Sequence, residues 1–160
     1  RAVPIVVGDP RAHRGLRPVS RTLVVEADGG SRGNPGPAGS GAVVIDPETG
    51  ELLAEVGTFV GIATNNLAEY RGMIEGCRTA LAIDPDASLE VRMDSKLVVE
   101  QMSGRWKIKH PSMAELAQEA RQLLSGVPVR FTWVPRAQNA RADRIANEAM
   151  DAGASFERRH

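Results

Sequence analysis

Short apolar runs and helical periodicities follow one another along the chain from residue 21 onward. Three runs rich in β-branched residues come first, and turns rich in glycine and proline separate them, which predicts antiparallel strands. Two further apolar runs alternate with segments of helical spacing. This predicts parallel strands joined by helices, because parallel strands need crossover connections. The predicted strands cover residues 22–27, 41–45, 51–60, 89–93 and 127–134.

Four helices are predicted between and after these strands. They cover residues 66–83, residues 95–102, a segment that starts at Pro111, and residues 140–152. The apolar residues that recur at helical spacing in the first are Leu67, Tyr70, Ile74, Cys77 and Leu81. The order predicts an α/β fold: a mixed five-stranded sheet of three antiparallel strands followed by parallel strands, with helices on both faces.

Length and composition place these elements in one domain. The chain has 160 residues, 20 basic and 20 acidic side chains, and no apolar run near the ~18 residues of a membrane span. Residues 1–20 are interpreted as a flexible basic tail or a remnant of processing, residues 21–153 as the domain, and residues 154–160 as a C-terminal tail. The single cysteine, Cys77, favours a reducing compartment, so we expect a cytoplasmic protein.

Four acidic residues occupy positions that suggest chemistry. Asp28 and Asp94 each end a predicted strand, and ligands in open α/β sheets bind beyond the carboxyl ends of parallel strands. Glu69 and Asp143 are expected in the first turns of their helices, where the helix dipole tolerates negative charge. Taken singly, Asp28 and Asp94 can be explained as ordinary turn residues, and Glu69 and Asp143 as acids that favour the start of a helix. Together they predict a carboxylate cluster that needs a cation to offset its repulsion.

The residue types narrow the choice of cation. Oxygen ligands without histidine or cysteine favour a hard ion such as Mg²⁺ or Mn²⁺. Zinc is poorly supported, because His13, His110 and His160 are scattered along the chain and Cys77 falls inside a helix. A serine or cysteine nucleophile would lack a histidine base.

Four sequence blocks resemble the signatures of type 1 ribonuclease H (ribonuclease HI), in that family's order and spacing. They are residues 28–37 (DGGSRGNPGP), 64–69 (TNNLAE), 93–96 (MDSK) and 142–146 (ADRIA), and the resemblance extends over residues 22–152. The actinobacterial branch is the one it resembles most. The resemblance implies a ribonuclease H-like fold. It also implies an endonuclease that cleaves the RNA strand of RNA–DNA hybrids with two Mg²⁺ ions, or Mn²⁺ in their place, and leaves 5′-phosphate and 3′-hydroxyl ends.

The same resemblance assigns roles to the four acids as catalytic metal ligands. Asp28 would bridge both ions, and Asp143 would complete the site of the ion that activates water. Glu69 and Asp94 would hold the ion at the leaving oxygen. We expect the protein to be a monomer whose partner is an RNA–DNA hybrid. We expect no membrane association and no obligate protein partner.

Seven further residues are expected to contact the hybrid. Amide side chains both donate and accept hydrogen bonds, as does the 2′-hydroxyl that distinguishes RNA from DNA. The set is Asn34, Thr64, Asn65, Asn66, Lys96, Trp106 and Arg136. Thr64 matches a position that, in the family, belongs to a pocket for a phosphate of the DNA strand. Alternatively, Asn65 and Asn66 cap a helix and Trp106 covers a helix end, while Trp133 is predicted to be core.

The chain departs from the family pattern near two of these residues. Residues 104–110 stand where many relatives have a longer basic protrusion, so we expect weaker hybrid binding. Nevertheless, two segments carry a net charge of +3 each, with histidine taken as neutral. Each has four basic residues and one acidic residue, and they are residues 96–110 and 130–144. Lys96 replaces a glutamine of many relatives and favours a phosphate contact. The loop before Asp143 lacks the family's frequent histidine, and Arg136, its expected replacement, cannot act as a base near neutral pH.

Two other functions are compatible with the sequence. One is a non-catalytic module of the same fold that binds hybrids or other nucleic acids, and the presence of all four acids argues against it. The other is a different nuclease of the superfold, such as a DNA-cutting recombinase or integrase, and the asparagine pairs argue against that.

Overall fold

A computed structural model describes residues 21–160 and the backbone of a short N-terminal strand, β1 (Ile5–Val6). The other strands are β2 (Thr22–Ser31), β3 (Gly36–Ile45), β4 (Leu52–Ala63), β5 (Ser88–Met93), β6 (Pro128–Trp133) and β7 (Phe156–Arg159). The helices are α1 (Asn65–Ile83), α2 (Lys96–Met102), α3 (Pro111–Leu123) and α4 (Ala140–Ala152), and a 3₁₀ turn covers Arg136–Gln138. Apart from β1, the predicted basic tail lies outside the described residues.

These strands form one mixed sheet in the order β1-β6-β5-β2-β3-β4-β7. β2, β3 and β4 are antiparallel neighbours, whereas β5 is parallel to both β2 and β6. The predicted fold class is therefore confirmed. The strand count of five was too low, because β1 and β7 add antiparallel edge strands that are too short to show a periodicity.

The helices cover both faces of the sheet, as expected. Alternate residues of β2 divide between two cores, with Val25 on the side of α1 and Val24 on the side of α4. The larger core includes residues of α1, α2 and α3, and Tyr70, Met73 and Ile74 are fully buried in it. The sheet thus positions two helices, α1 and α4, on opposite sides of β2.

β2 continues beyond the predicted turn. Asp28 lies inside this strand, and the glycines after it pair with β3, Gly29 with Ser40 and Gly30 with Gly39. The glycine-rich composition indicated a turn at residue 29, but it serves close packing instead. A β-carbon on Gly29 would lie 2.4 Å from the backbone nitrogen of Glu69, so α1 can approach the strand only because this residue has no side chain.

The segment expected to be a C-terminal tail instead adds β7 to the edge of β4. The ring of Phe156 covers Gly57, where an added β-carbon would lie 2.4 Å from it. Arg158 forms ion pairs with Glu55 (3.0 Å) and Glu148 (2.7 Å), which joins β7 to both β4 and α4. The pairing of Arg158 with Glu55 joins residues 103 positions apart, so local sequence pattern did not indicate this edge strand.

Replacing Gly29 with alanine is expected to destabilise the fold by about 2 kcal/mol, because overpacking forces backbone shifts where helix and strand already touch. Gly30→Ala is the matched control, since a β-carbon there would lie 3.9 Å from its nearest neighbour, the terminal methyl group of Met150. Thermal melting of both variants checks this expectation. Equal melting temperatures would show that α1 can move away from β2 without cost.

Candidate active site

Asp28 and Asp94 lie side by side on neighbouring parallel strands. The last paired positions of β2 and β5 are Glu26 and Arg92, and each aspartate comes two residues later. The charge of Asp94 acts on Asp28 and contributes to its raised pKa. The structure therefore places these two acids at one edge of the sheet, with Asp28 within a strand and Asp94 directly after one.

α1 and α4 bring the other two acids to the same place. Asp143 is in the first turn of α4, as predicted, and lies close enough to Asp28 to contribute to its raised pKa. Glu69 is the fifth residue of α1 and belongs to its second turn, not the first, because the helix begins at Asn65. Glu69 accepts a hydrogen bond from Ser95, the residue after Asp94.

The four carboxylates line one polar pocket of about 580 Å³. Burial, and then the charge of Asp94, raise the pKa of Asp28 from 3.8 to about 8. Burial also raises the pKa of Glu69 from 4.5 to about 7; the Ser95 hydrogen bond opposes this increase, and the charge of Asp94 adds to it. The pocket therefore disfavours full ionisation of its acids near neutral pH.

The donor chemistry of this pocket suits hard divalent cations. All four acidic side chains offer oxygen. The raised pKa values of Asp28 and Glu69 arise first from burial and then from the charge of Asp94, and bound positive charge would offset both effects. Within residues 21–160, no three histidine, cysteine or acidic side chains already form a closed ligand set. The carboxylates thus surround the pocket without converging on one point.

Asn34 and Asn65 support the loop between β2 and β3 above this pocket. Asn34 accepts a hydrogen bond from the backbone N–H of Asn65 (3.0 Å), and Asn65 accepts one from that of Ser31 (2.8 Å). Both carbonyl oxygens are therefore engaged, which leaves the NH₂ groups as donors. Thr64, not Asn65 or Asn66, is the side chain that caps α1, and it accepts from the backbone of Leu67 (3.3 Å). Asn66 is exposed at the pocket rim.

Lys96 and Arg136 line the pocket, whereas Trp106 does not. Trp106 lies in a separate groove of about 910 Å³ between the loop after α2 and the helix α3. Trp133, expected in the core, is 47% exposed because it ends β6 at the edge of the sheet. Its indole N–H donates to the backbone oxygen of Asp94 (3.3 Å), and the ammonium of Lys96 lies 5.8 Å from its ring centre.

Only part of the expected basic surface is free for a ligand. Arg105 pairs with Glu100, Arg130 with Glu90, and Arg141 with Glu26. The basic residues of these segments without an ion-pair partner within residues 21–160 are Lys96, Lys107, Lys109, Arg136 and Arg144. Two of these, Lys96 and Arg136, lie at the carboxylate pocket.

Sequence analysis missed two buried residues that contact the acids. Ser95 is 8% exposed and donates to Glu69. Asn139 is 1% exposed and donates to Asp94 (2.7 Å). Each directly precedes a helix, where capping is the usual role of serine and asparagine, so their types and positions gave no signal of a contact with the acids. For Ser95 that role is also present, since its hydroxyl accepts from the backbone N–H of Val98 (3.3 Å).

The strand order and the acidic pocket at the parallel edge define the ribonuclease H-like class of folds. A family profile described as "Reverse transcriptase-like" matches residues 26–149. "Ribonuclease HI" of Halobacterium salinarum is 39% identical over 158 residues, which cover 92% of this chain and 78% of that protein. The chain belongs to the ribonuclease HI family.

The actinobacterial resemblance is also confirmed. "Bifunctional protein Rv2228c" of Mycobacterium tuberculosis is 56% identical over 133 residues, which are 82% of this chain but 36% of that protein. This chain therefore spans about a third of the length of that relative. The solved N-terminal RNase H domain of the same mycobacterial protein is 55% identical, with a TM-score of 0.79 over 83% of this chain and 96% of that one.

A second solved structure carries a nucleic acid. LC11-RNase H1 in complex with an RNA/DNA hybrid is 39% identical, with a TM-score of 0.77 over 82% of this chain and 98% of that one. In the described part of this chain, no helix has the length and apolar character needed to cross a membrane.

Proposed function

We propose that this chain is an endonuclease that hydrolyses the RNA strand of RNA–DNA hybrids. The observation that carries the proposal is the gathering of Asp28, Glu69, Asp94 and Asp143 around one pocket. Family membership and the hybrid bound by LC11-RNase H1 support the same substrate. Proteins of this family generally use divalent metal ions, and the products proposed here have 5′-phosphate and 3′-hydroxyl ends.

The four acids would hold two divalent cations, with Mg²⁺ the proposed ion and Mn²⁺ an alternative. When bound, such a pair lowers the pKa of the attacking water and stabilises the departing 3′ oxygen. The protein positions these acids by close packing of α1 and α4 on β2 and β3, which glycine residues allow. The carboxylates of Asp28 and Glu69 must lose the protons that burial favours before they can act as ligands.

The pocket rim supplies the groups that would bind the hybrid. Lys96 and Arg136 have no ion-pair partner within residues 21–160, so their charges are available for phosphates. The NH₂ groups of Asn34 and Asn65 would donate to groups of the minor groove such as the 2′-hydroxyl. Trp106 lies outside the acid pocket, so a hybrid that reached it would have to extend beyond the cleavage site.

Cleavage of labelled duplexes tests this function and its two alternatives. RNA–DNA hybrid, double-stranded RNA and double-stranded DNA are incubated with the protein, with Mg²⁺ or with excess chelator. We expect only the hybrid to be cut, only with the cation, and the products to carry 5′-phosphates. Binding of the hybrid without cleavage would identify a non-catalytic module. Cleavage of double-stranded DNA would identify another nuclease of the superfold.

A further inference from the structure

Asn139 is a buried amide that joins the middle of β2, beside Asp28, to Asp94 directly after β5. Its side chain is 1% exposed and lies directly before α4. Its NH₂ group donates one hydrogen bond to the backbone oxygen of Ala27 (2.8 Å) and another to Oδ1 of Asp94 (2.7 Å). Because Ala27 precedes Asp28, this one group contacts the backbone beside one acid and the carboxylate of the other.

These partners determine the orientation of the amide. A backbone carbonyl and a carboxylate both accept hydrogen bonds, so only the NH₂ side of Asn139 can face them. The carbonyl oxygen Oδ1 of Asn139 is buried and has no hydrogen-bond partner within the described part of the chain. A buried acceptor without a partner is unfavourable, so it offsets part of the stability that the two donated hydrogen bonds contribute.

Helix capping does not account for this side chain. Asparagine before a helix usually accepts a hydrogen bond from a backbone N–H of the first turn. The side chain of Asn139 makes no such bond, and only its backbone oxygen accepts from the N–H of Asp143 (3.1 Å). Asn139 therefore connects the helix that carries Asp143 with the backbone of β2 next to Asp28 and with the side chain of Asp94.

We propose that Asn139 is a positioning residue for the carboxylate of Asp94. By occupying one oxygen of Asp94, it restricts the rotation of this side chain and leaves the other oxygen for a cation. The role rests on the proposed function, since it matters for cleavage only if the four acids act as metal ligands. Residues that hold a metal ligand in place typically affect metal affinity or activity by about 10- to 100-fold.

The test replaces Asn139 with leucine, which keeps the branching at Cγ and removes the donor. We expect kcat on the hybrid to fall at least about tenfold, with KM within about twofold of the parent. Mn²⁺ affinity, measured by calorimetry without hybrid, should fall at least about threefold. Gln138→Leu, at an exposed position of the neighbouring 3₁₀ turn, is the control and should change none of these values.

Three results would overturn this role. One is a leucine variant whose kcat and Mn²⁺ affinity both stay within about twofold of the parent. Another is a rise in KM with unchanged Mn²⁺ affinity, which would assign Asn139 to hybrid binding. If the leucine variant does not fold, Asn139→Asp, which places an acceptor against Asp94, must show the loss in kcat, and parental turnover would reject the role.

The calorimetric arm separates this inference from the proposed function. If the parent protein cleaves no hybrid, the proposed function fails. Weaker Mn²⁺ binding by the leucine variant would still support positioning of Asp94, and unchanged binding would reject it.

Discussion

Asp28→Asn is expected to reduce hybrid cleavage at least about a thousandfold, equivalent to about 4 kcal/mol of lost transition-state stabilisation. Asp28 interacts with both Asp94 and Asp143, so it is the acid shared by the two sides of the pocket. An amide has nearly the same shape as the carboxyl group but lacks the negative charge that attracts cations. Single-turnover kinetics with Mg²⁺ measures the loss.

Measuring the affinity of the Asp28→Asn variant for the hybrid shows whether the variant has lost catalysis or substrate binding. The Asp28→Asn variant should bind the hybrid within a few-fold of the parent, because Lys96 and Arg136 at the pocket rim are unchanged. Glu115→Gln removes an exposed acid of α3 and serves as the control with parental turnover. Parental turnover by Asp28→Asn would remove this residue from the centre of the site.

Without divalent cations, the protein is expected to lose stability as pH rises from about 4 to about 8. In the folded protein the pKa of Asp28 is about 8 and that of Glu69 about 7, above their ordinary values of 3.8 and 4.5. The folded state therefore retains protons that the unfolded state releases over this interval, and stability falls as pH rises. Acids with lowered pKa values, such as Glu90 and Glu119, change stability at lower pH.

A pKa difference of one between the folded and unfolded states corresponds to about 1.4 kcal/mol of stability. The pocket is open to solvent, which screens the repulsion, so we expect a loss of about 2 kcal/mol, or about 4–8 °C in melting temperature. Mg²⁺ should restore this loss at pH 8 and have little effect at pH 5. Melting curves at both pH values, with chelator and with Mg²⁺, measure the difference.

The Asp28→Asn variant provides the internal comparison for this stability effect. At pH 8 in chelator it should melt above the parent, because it removes a charge that the pocket disfavours. A parent whose melting temperature is independent of both pH and Mg²⁺ would show that the acids do not repel one another as described. The same substitution is thus expected to abolish cleavage and to stabilise the cation-free fold.

Much of the architecture could be predicted from local pattern. The helix of residues 140–152 was predicted with its observed bounds, and the five central strands were predicted in the correct order along the chain. The β2–β3 connection was the clearest error, because glycine-rich composition indicates a turn whether the glycines bend the chain or admit a helix. The packing of α1 against Gly29 shows that this glycine admits a helix and does not bend the chain. The helix residue that Gly29 contacts, Glu69, is 40 positions away in the sequence, so local pattern could not reveal the contact.

The sequence by itself determined the order of the elements along the chain and placed Asp28 and Asp94 at the ends of predicted strands, because strand alternation and helical spacing are local properties. Only the tertiary structure decided that burial and Asp94 raise the pKa of Asp28, that Trp133 is half exposed and that Asn139 donates to Asp94. Desolvation and hydrogen bonding depend on which distant elements meet. A residue's neighbours in the chain do not specify those contacts.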